Sequence, residues 1–121
     1  KIFEILKKRK TQLICLAGFM KILSGIFIKR FKGKILNIHP SLLPKYKGLN
    51  THERAIKKRE IYSGCTVHFV DEQYDHGETI VQRTCNVVAS ETPQSLADKV
   101  FQLECTAYVE AINKVACKLK V

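Results

Sequence analysis

Tryptophan is absent from these 121 residues, methionine occurs once, proline three times, and aromatic side chains make up 8% of the chain. So sparse a set of stacking rings, with positive charge carried mostly by lysine rather than by forked arginine, is a poor match to a specific nucleic-acid reader. Acidic residues are also few: 11 Asp and Glu stand against 21 Lys and Arg, a formal net charge of +10. The positive field favours anionic partners without naming one, and a solvated lysine surface accounts for it equally well. Long hydrophobic runs are missing, because Lys or Gly interrupts each one well short of the roughly 20 residues that span a bilayer. That excludes a membrane-spanning protein. The N-terminal KIFEILKKRK has neither a long apolar stretch nor a small-residue cleavage site, so no export signal is read and a cytoplasmic location is expected.

Cysteine is not scarce, but its pattern is uninformative. Cys15, Cys65, Cys85, Cys105 and Cys117 are an odd set with no C-x-x-C pair, which favours neither a disulfide framework nor a zinc knuckle. They are expected as small buried hydrophobes in a reducing compartment, with no metal site. What is present is the 45% apolar content of a globular protein, without repeats or low-complexity segments, and one domain over residues 1–121 is expected. The chain opens on Lys1 rather than Met, from which an upstream segment is expected to have been removed.

Ile2, Phe3, Ile5 and Leu6 followed by a lysine run read as the end of a helix whose cations suit its negative pole. QLICLA at 12–17 reads as a strand buried on both faces. Ser24 opens a helical pattern through Ile26, Phe27, Arg30 and Phe31, with Gly33 as C-cap. KILNIH at 34–39 completes a strand, helix, strand unit with a right-handed crossover. Two of the three prolines fall in PSLLPKYKGLN at 40–50, which must be an irregular loop. Thr51 is expected to cap a helix running to about Glu60. CTVHFV at 65–70 and TIVQRTCNVV at 79–88 alternate as strands, and the eight polar residues DEQYDHGE between them are too many for a tight hairpin turn. Thr92 as N-cap and Pro93 at the first helical position begin one long amphipathic helix, with Leu96, Val100, Leu103, Ala107 and Ala111 on its apolar face, to about residue 118.

Strand alternation puts Ile35, Asn37 and His39 on one face of the 34–39 strand, with the two polar groups at its C-terminal end. Ligands bind in the crevice at that end of open parallel sheets. Pro40 holds the His39 backbone extended, which continues the strand up to the imidazole. An Asn amide can donate to a developing oxyanion and a histidine can donate or shuttle a proton near neutral pH. Equally, the two side chains could merely satisfy the loop that follows. The acidic loop 71–78 offers Asp71, Glu72, Asp75 and Glu78 as partners for the imidazole. Asp75, at a sharp turn before His76 and Gly77, is the best placed, and a carboxylate beside an imidazole favours its charged form. A solvated acidic loop is the plainer alternative.

NIHPSLLPKYKG at 37–48, AGFMKIL at 17–23 and GCTVHFVDEQYDHGETIVQ at 64–82 together resemble the formyltransferases that use 10-formyltetrahydrofolate. The resemblance covers about residues 12–112. Within the family, His39-Pro40-Ser41-Leu42-Leu43-Pro44 is similar to the branch acting on glycinamide ribonucleotide rather than to the tRNA formyltransferases or the deformylases, which remain the alternatives, together with a non-catalytic basic binding module. The resemblance implies an α/β, Rossmann-like formyltransferase fold with a mostly parallel sheet and a long C-terminal helix. It implies direct formyl transfer in purine biosynthesis, from 10-formyltetrahydrofolate as co-substrate to the amine of glycinamide ribonucleotide, with no metal, no membrane and no specific nucleic acid as partner. Asn37, His39 and Asp75 would be the catalytic trio, Asp75 acting through an ordered water to keep His39 cationic. Met20, Lys21, Ile22, Leu23, Asn37, Val70, Asp71 and Asp75 would line the folate site. His39, Pro40, Gln102 and Glu104 would meet the ribonucleotide, and His68 would be a supporting buried residue. The family's glycine-rich turn, which cradles phosphate on backbone amides, has no counterpart, since Gly18 and Gly25 do not form one. The N-terminal strand, helix, strand portion of the fold is therefore expected to be missing.

Overall fold

In the computed structural model, which describes residues 1–19, 21–73 and 75–119, the two apolar runs flanking Ser24 become neighbouring parallel strands. They are β1 (Ile14–Ala17) and β2 (Ile35–His39), joined by α2 (Gly25–Arg30), and α1 (Ile2–Lys8) precedes them. Ser24 caps α2 as its sequence position suggests, its Oγ accepting from the Phe27 N–H at 3.3 Å. The helix ends at Phe31, and Gly33 takes the left-handed conformation, φ +73°, that turns the chain toward β2. α3 (Thr51–Lys57), β3 (Tyr62–Phe69), β4 (Thr79–Asn86) and α4 (Pro93–Leu119) complete the order.

The sheet runs β1-β2-β3-β4, with β1 parallel to β2 and the other two pairs antiparallel. It is thus mixed rather than mostly parallel. Only the α2 connection carries the chain back across the sheet, whereas the 40–50 loop with α3, and then the 71–78 loop, each return it in the opposite direction.

α4 packs along β3 and β4. Its Leu96, Val100, Ala107, Ala111 and Val115 recur on one face and meet Leu36, Ala55, Cys65, Val67 and Val81 in one apolar cluster. Each fully buried Val or Leu there contributes about 1.5–3 kcal/mol. Thr92 Oγ1 accepts from the Ser95 N–H at 3.1 Å, the expected cap. Farther along, the Tyr108 hydroxyl reaches the Leu16 carbonyl at 2.6 Å and the Leu36 carbonyl at 3.2 Å, tying α4 to β1 and β2.

Three local readings are corrected. β1 is not covered on both faces: Cys15 and Ala17 are exposed, since β1 is an edge strand among the described residues. Thr51 lies buried inside α3, while Asn50 holds the cap position with φ 55° and no side-chain cap bond. Of the cysteines only Cys65 is buried; Cys15, Cys105 and Cys117 are exposed and Cys85 is half-buried. Burial pushes the Cys65 thiol up to about 11. Among the described residues no helix is long and apolar enough to cross a membrane.

Candidate active site

Asn37 and His39 stand at the C-terminal end of β2, and what surrounds them follows from the strand register and from two anchored loops. Asn37 faces His68 across the β2–β3 pair. The His68 Nδ1 lies 2.8 Å from the Phe69 carbonyl, which can only accept, so Nδ1 carries the proton and Nε2 the lone pair. Asn37 Nδ2 donates to that Nε2 at 3.4 Å, a long bond that nevertheless sets which way the amide points. Burial holds the His68 imidazole below its usual range, which suits the neutral tautomer. Asn37 Oδ1 is buried without a partner among the described residues.

The proline-bearing loop is tied to the sheet by Thr66 and Gln82. Thr66 Oγ1 donates to the Ser41 carbonyl at 2.7 Å and accepts from the Leu43 N–H at 3.1 Å, while Gln82 Nε2 donates to the Leu43 carbonyl at 3.1 Å. Lower in the loop, Tyr46 and Lys45 both bond to Glu60. So fixed, the loop delivers two backbone groups to the candidate residues. His39 Nε2 donates to the Tyr46 carbonyl at 2.8 Å, and the Gly48 N–H donates to Asp75 Oδ2 at 2.8 Å.

Asp75 comes from the opposite side, on the 71–78 loop, with φ 49° in the left-handed region that Asp tolerates better than most residues. Gly77 lets this loop fold back, because a Cβ there would lie 1.6 Å from the Phe69 carbonyl oxygen. Asp71 accepts from the Gln73 N–H and from exposed His76, each bond under 3 Å. Burial raises the Asp71 carboxyl, and these two bonds outweigh it, leaving the group below its ordinary value. The result is a direct contact, His39 Nδ1 to Asp75 Oδ1 at 3.5 Å, with side chains only 8% and 6% exposed, which is an ion pair whenever the imidazole is protonated. That gap is too short to hold a water between the two atoms, so a relaying water would have to sit beside the pair.

Two clefts meet here. The first is lined by Leu16, Phe19, Lys21, Ile22, Leu23, Asn37, Val70, Asp71, Gln73 and Asp75. The second, about 560 Å³, runs from Asn37, His39, Pro40 and Asp75 past Gly48 and His52 to Phe101 and Glu104. Asn37, Asp75 and Phe19 belong to both. The structure therefore brings together Asn37, His39, Asp75, Lys21, Ile22, Leu23, Val70, Asp71, Pro40 and Glu104. Met20 lies outside the described residues. Gln102 is exposed and does not line the second cleft. Positions two apart on a helix point about 200° apart, so Gln102 and Glu104 cannot share a face, whereas Phe101 and Glu104, three apart, do. Burial raises the Glu104 carboxyl above its ordinary value. Phe19, Gly48, His52 and Phe101 were not singled out from the sequence; for Phe101 the i, i+3 spacing to Glu104 was the available signal.

A family model described as formyl transferase matches residues 1–112. The chain belongs to the formyl transferase family. Among its relatives, the trifunctional purine biosynthetic protein adenosine-3 of Chironomus tentans is 47% identical over 109 residues, which is 90% of this chain and 8% of that protein. Two solved family members share the fold. The phosphoribosylglycinamide formyltransferase of Anaplasma phagocytophilum is 39% identical at a TM-score of 0.92, over 97% of this chain and 57% of that one. That of Brucella melitensis is 44% identical at a TM-score of 0.90, over 95% and 59%. The chain thus spans a small part of the curated relative and less than two thirds of the solved ones. The Rossmann-like formyltransferase fold read from the sequence is the fold observed.

Proposed function

We propose that residues 1–121 form part of a formyltransferase domain that moves the formyl group of 10-formyltetrahydrofolate to the primary amine of glycinamide ribonucleotide, in cytoplasmic de novo purine biosynthesis. The reading is carried by the meeting of the two clefts at Asn37 and Asp75 beside His39. Transfer between two bound molecules needs donor and acceptor to approach at one point, and holding them there removes much of the entropic barrier. In this reading the folate lies in the first cleft, against Lys21, Ile22, Leu23, Val70 and Asp71, with Met20 as its neighbour in sequence. The ribonucleotide occupies the second, against Pro40 and Glu104; Gln102, on the outer side of α4, drops from this set. The net charge of +10 suits two anionic substrates.

The amine attacks the formyl carbon, a C–N bond forms, and the formyl oxygen gains negative charge. Asn37 keeps one amide hydrogen toward His68 and has the other for that oxygen. His39 has its Nε2 proton on the Tyr46 carbonyl and its Nδ1 toward Asp75, so it donates to the oxygen only by exchanging one of these contacts. Asp75 accepts the proton that the amine loses and returns it to the folate nitrogen as the second C–N bond breaks.

The test is an assay of the complete domain that contains residues 1–121, with both substrates, following formylated ribonucleotide. Wild type should form it, and His39→Ala or Asp75→Asn should lower turnover by at least about a hundredfold. Formate released without transfer, or transfer to methionyl-tRNA, would move the chain to another branch of the family. Near-wild-type rates in both variants would remove the catalytic assignment.

A further inference from the structure

His52 is a polar residue of the second cleft for which the mechanism above has no use. It is half-buried on α3, and it shares the cleft wall with His39, Pro40, Gly48, Asp75 and Glu104. Its two ring nitrogens differ. Nδ1 is fully buried and has no hydrogen-bond partner among the described residues, while Nε2 keeps some solvent access and bonds to no described residue. An orphaned buried N–H is rarer and costlier than an orphaned lone pair, so the lone pair belongs on Nδ1 and the proton on Nε2. Burial, helped by nearby His39, holds this imidazole below its usual range and disfavours a second proton. His52 is thus a neutral ring with one outward-facing donor. Its polar neighbours Glu104 and Asp75 present carboxylates, which accept from hydroxyl or amine hydrogens, so the cleft holds both kinds of handle.

We propose that His52 is a specificity residue of this cleft, donating its Nε2–H to an oxygen of the amine-bearing phosphoribosyl acceptor. The inference rests on the acceptor reading of the second cleft. Leu in place of His52 keeps the bulk and removes the donor; Gln restores an N–H at about the same reach from the backbone.

Calorimetric titration of glycinamide ribonucleotide into wild type, His52→Leu and His52→Gln tests it, with tetrahydrofolate as the probe of the first cleft. The Leu variant should bind the ribonucleotide about tenfold more weakly, the worth of one hydrogen bond, and Gln should recover to within about threefold of wild type. Tetrahydrofolate affinity should stay the same in all three. Imidazole ¹⁵N spectra of wild type should show the Nε2–H tautomer, and its signal should move on adding the ribonucleotide but not tetrahydrofolate. Equal ribonucleotide affinity in wild type and His52→Leu would overturn the role of His52 alone. So would parallel loss of both ligands without rescue by Gln, or an Nδ1–H tautomer. A wild-type chain that takes tetrahydrofolate but not the ribonucleotide would overturn the acceptor reading itself.

Discussion

The two sides of β2 treat apolar side chains very differently. Toward β3, β4 and α4, residues such as Val67, Leu96 and Val100 are fully buried in one cluster that draws nothing from α1, β1 or α2. Toward β1 and its helices, Ile28 and Phe31 are buried outside that cluster, but Ile2, Ile22 and Ile26 are each about two-thirds or more exposed, at 67%, 66% and 74%. Both sides carry apolar residues at helix or strand spacing, so hydropathy does not separate them. What separates them is an opposing layer: α4 covers β3 and β4, and a stripe is buried only where another face meets it. β2 belongs to both sides. Its Ile35 and Leu36 are almost wholly buried, which sets Asn37 and His39 on a firm strand while the first cleft draws Phe19, Lys21, Ile22 and Leu23 from the exposed side.

Paired truncations on the two sides give the widest contrast. Leu96→Ala should cost about 2–5 kcal/mol, as a buried leucine leaves a cavity, and Ile26→Ala should stay within about 0.5 kcal/mol; urea unfolding of both measures the difference. Similar costs would mean that Ile26 is packed after all. Next in size, Gly77→Ala should cost about 1–3 kcal/mol by driving a methyl into the Phe69 carbonyl, and because the loop must shift, the His39–Asp75 pair should part. An unchanged melting temperature would show that the loop is not seated as described. The smallest effect is in pH. His52 and His68 have folded values below the 6.5 of a free histidine, so the unfolded chain binds more protons between those values. Their contribution is complete above 6.5 and is lost as pH falls through the folded values; stability should decline on that side. His68→Leu should flatten the decline, and an equally steep acid limb in that variant would assign it to other groups.

Much of this architecture was legible in advance. A short apolar run gave β2, period-2 runs gave β3 and β4, the 3.6 period with Thr92 and Pro93 gave α4 to within a residue, and alternation alone put Asn37 and His39 on one face. The short segments were less legible. Asn50 rather than Thr51 precedes α3, because the loop enters the helix through a left-handed residue that no capping rule anticipates. β1 looked like a doubly covered strand because an apolar run states what a strand could bury, not what lies over it. In the site, Asp75 was the preferred one of four carboxylates, and the fold of its loop shows why Asp71 is not the partner: it turns instead to His76. The Tyr46 carbonyl and Gly48 N–H left no trace in the sequence, since every residue carries such groups and only a tertiary fold aims them.

By itself the sequence determined the element order, the burial face of α4, the family, and a polar pair at the end of one strand. Each of these depends on periodicity or on residues close together in the chain. Tertiary structure alone decided that His39 meets Asp75 in direct contact, that two clefts join at Asn37, and that His52 joins a wall with Glu104. These contacts close long loops, and the free energy that holds them closed comes from Thr66, Gln82 and the buried cluster rather than from the residues that meet.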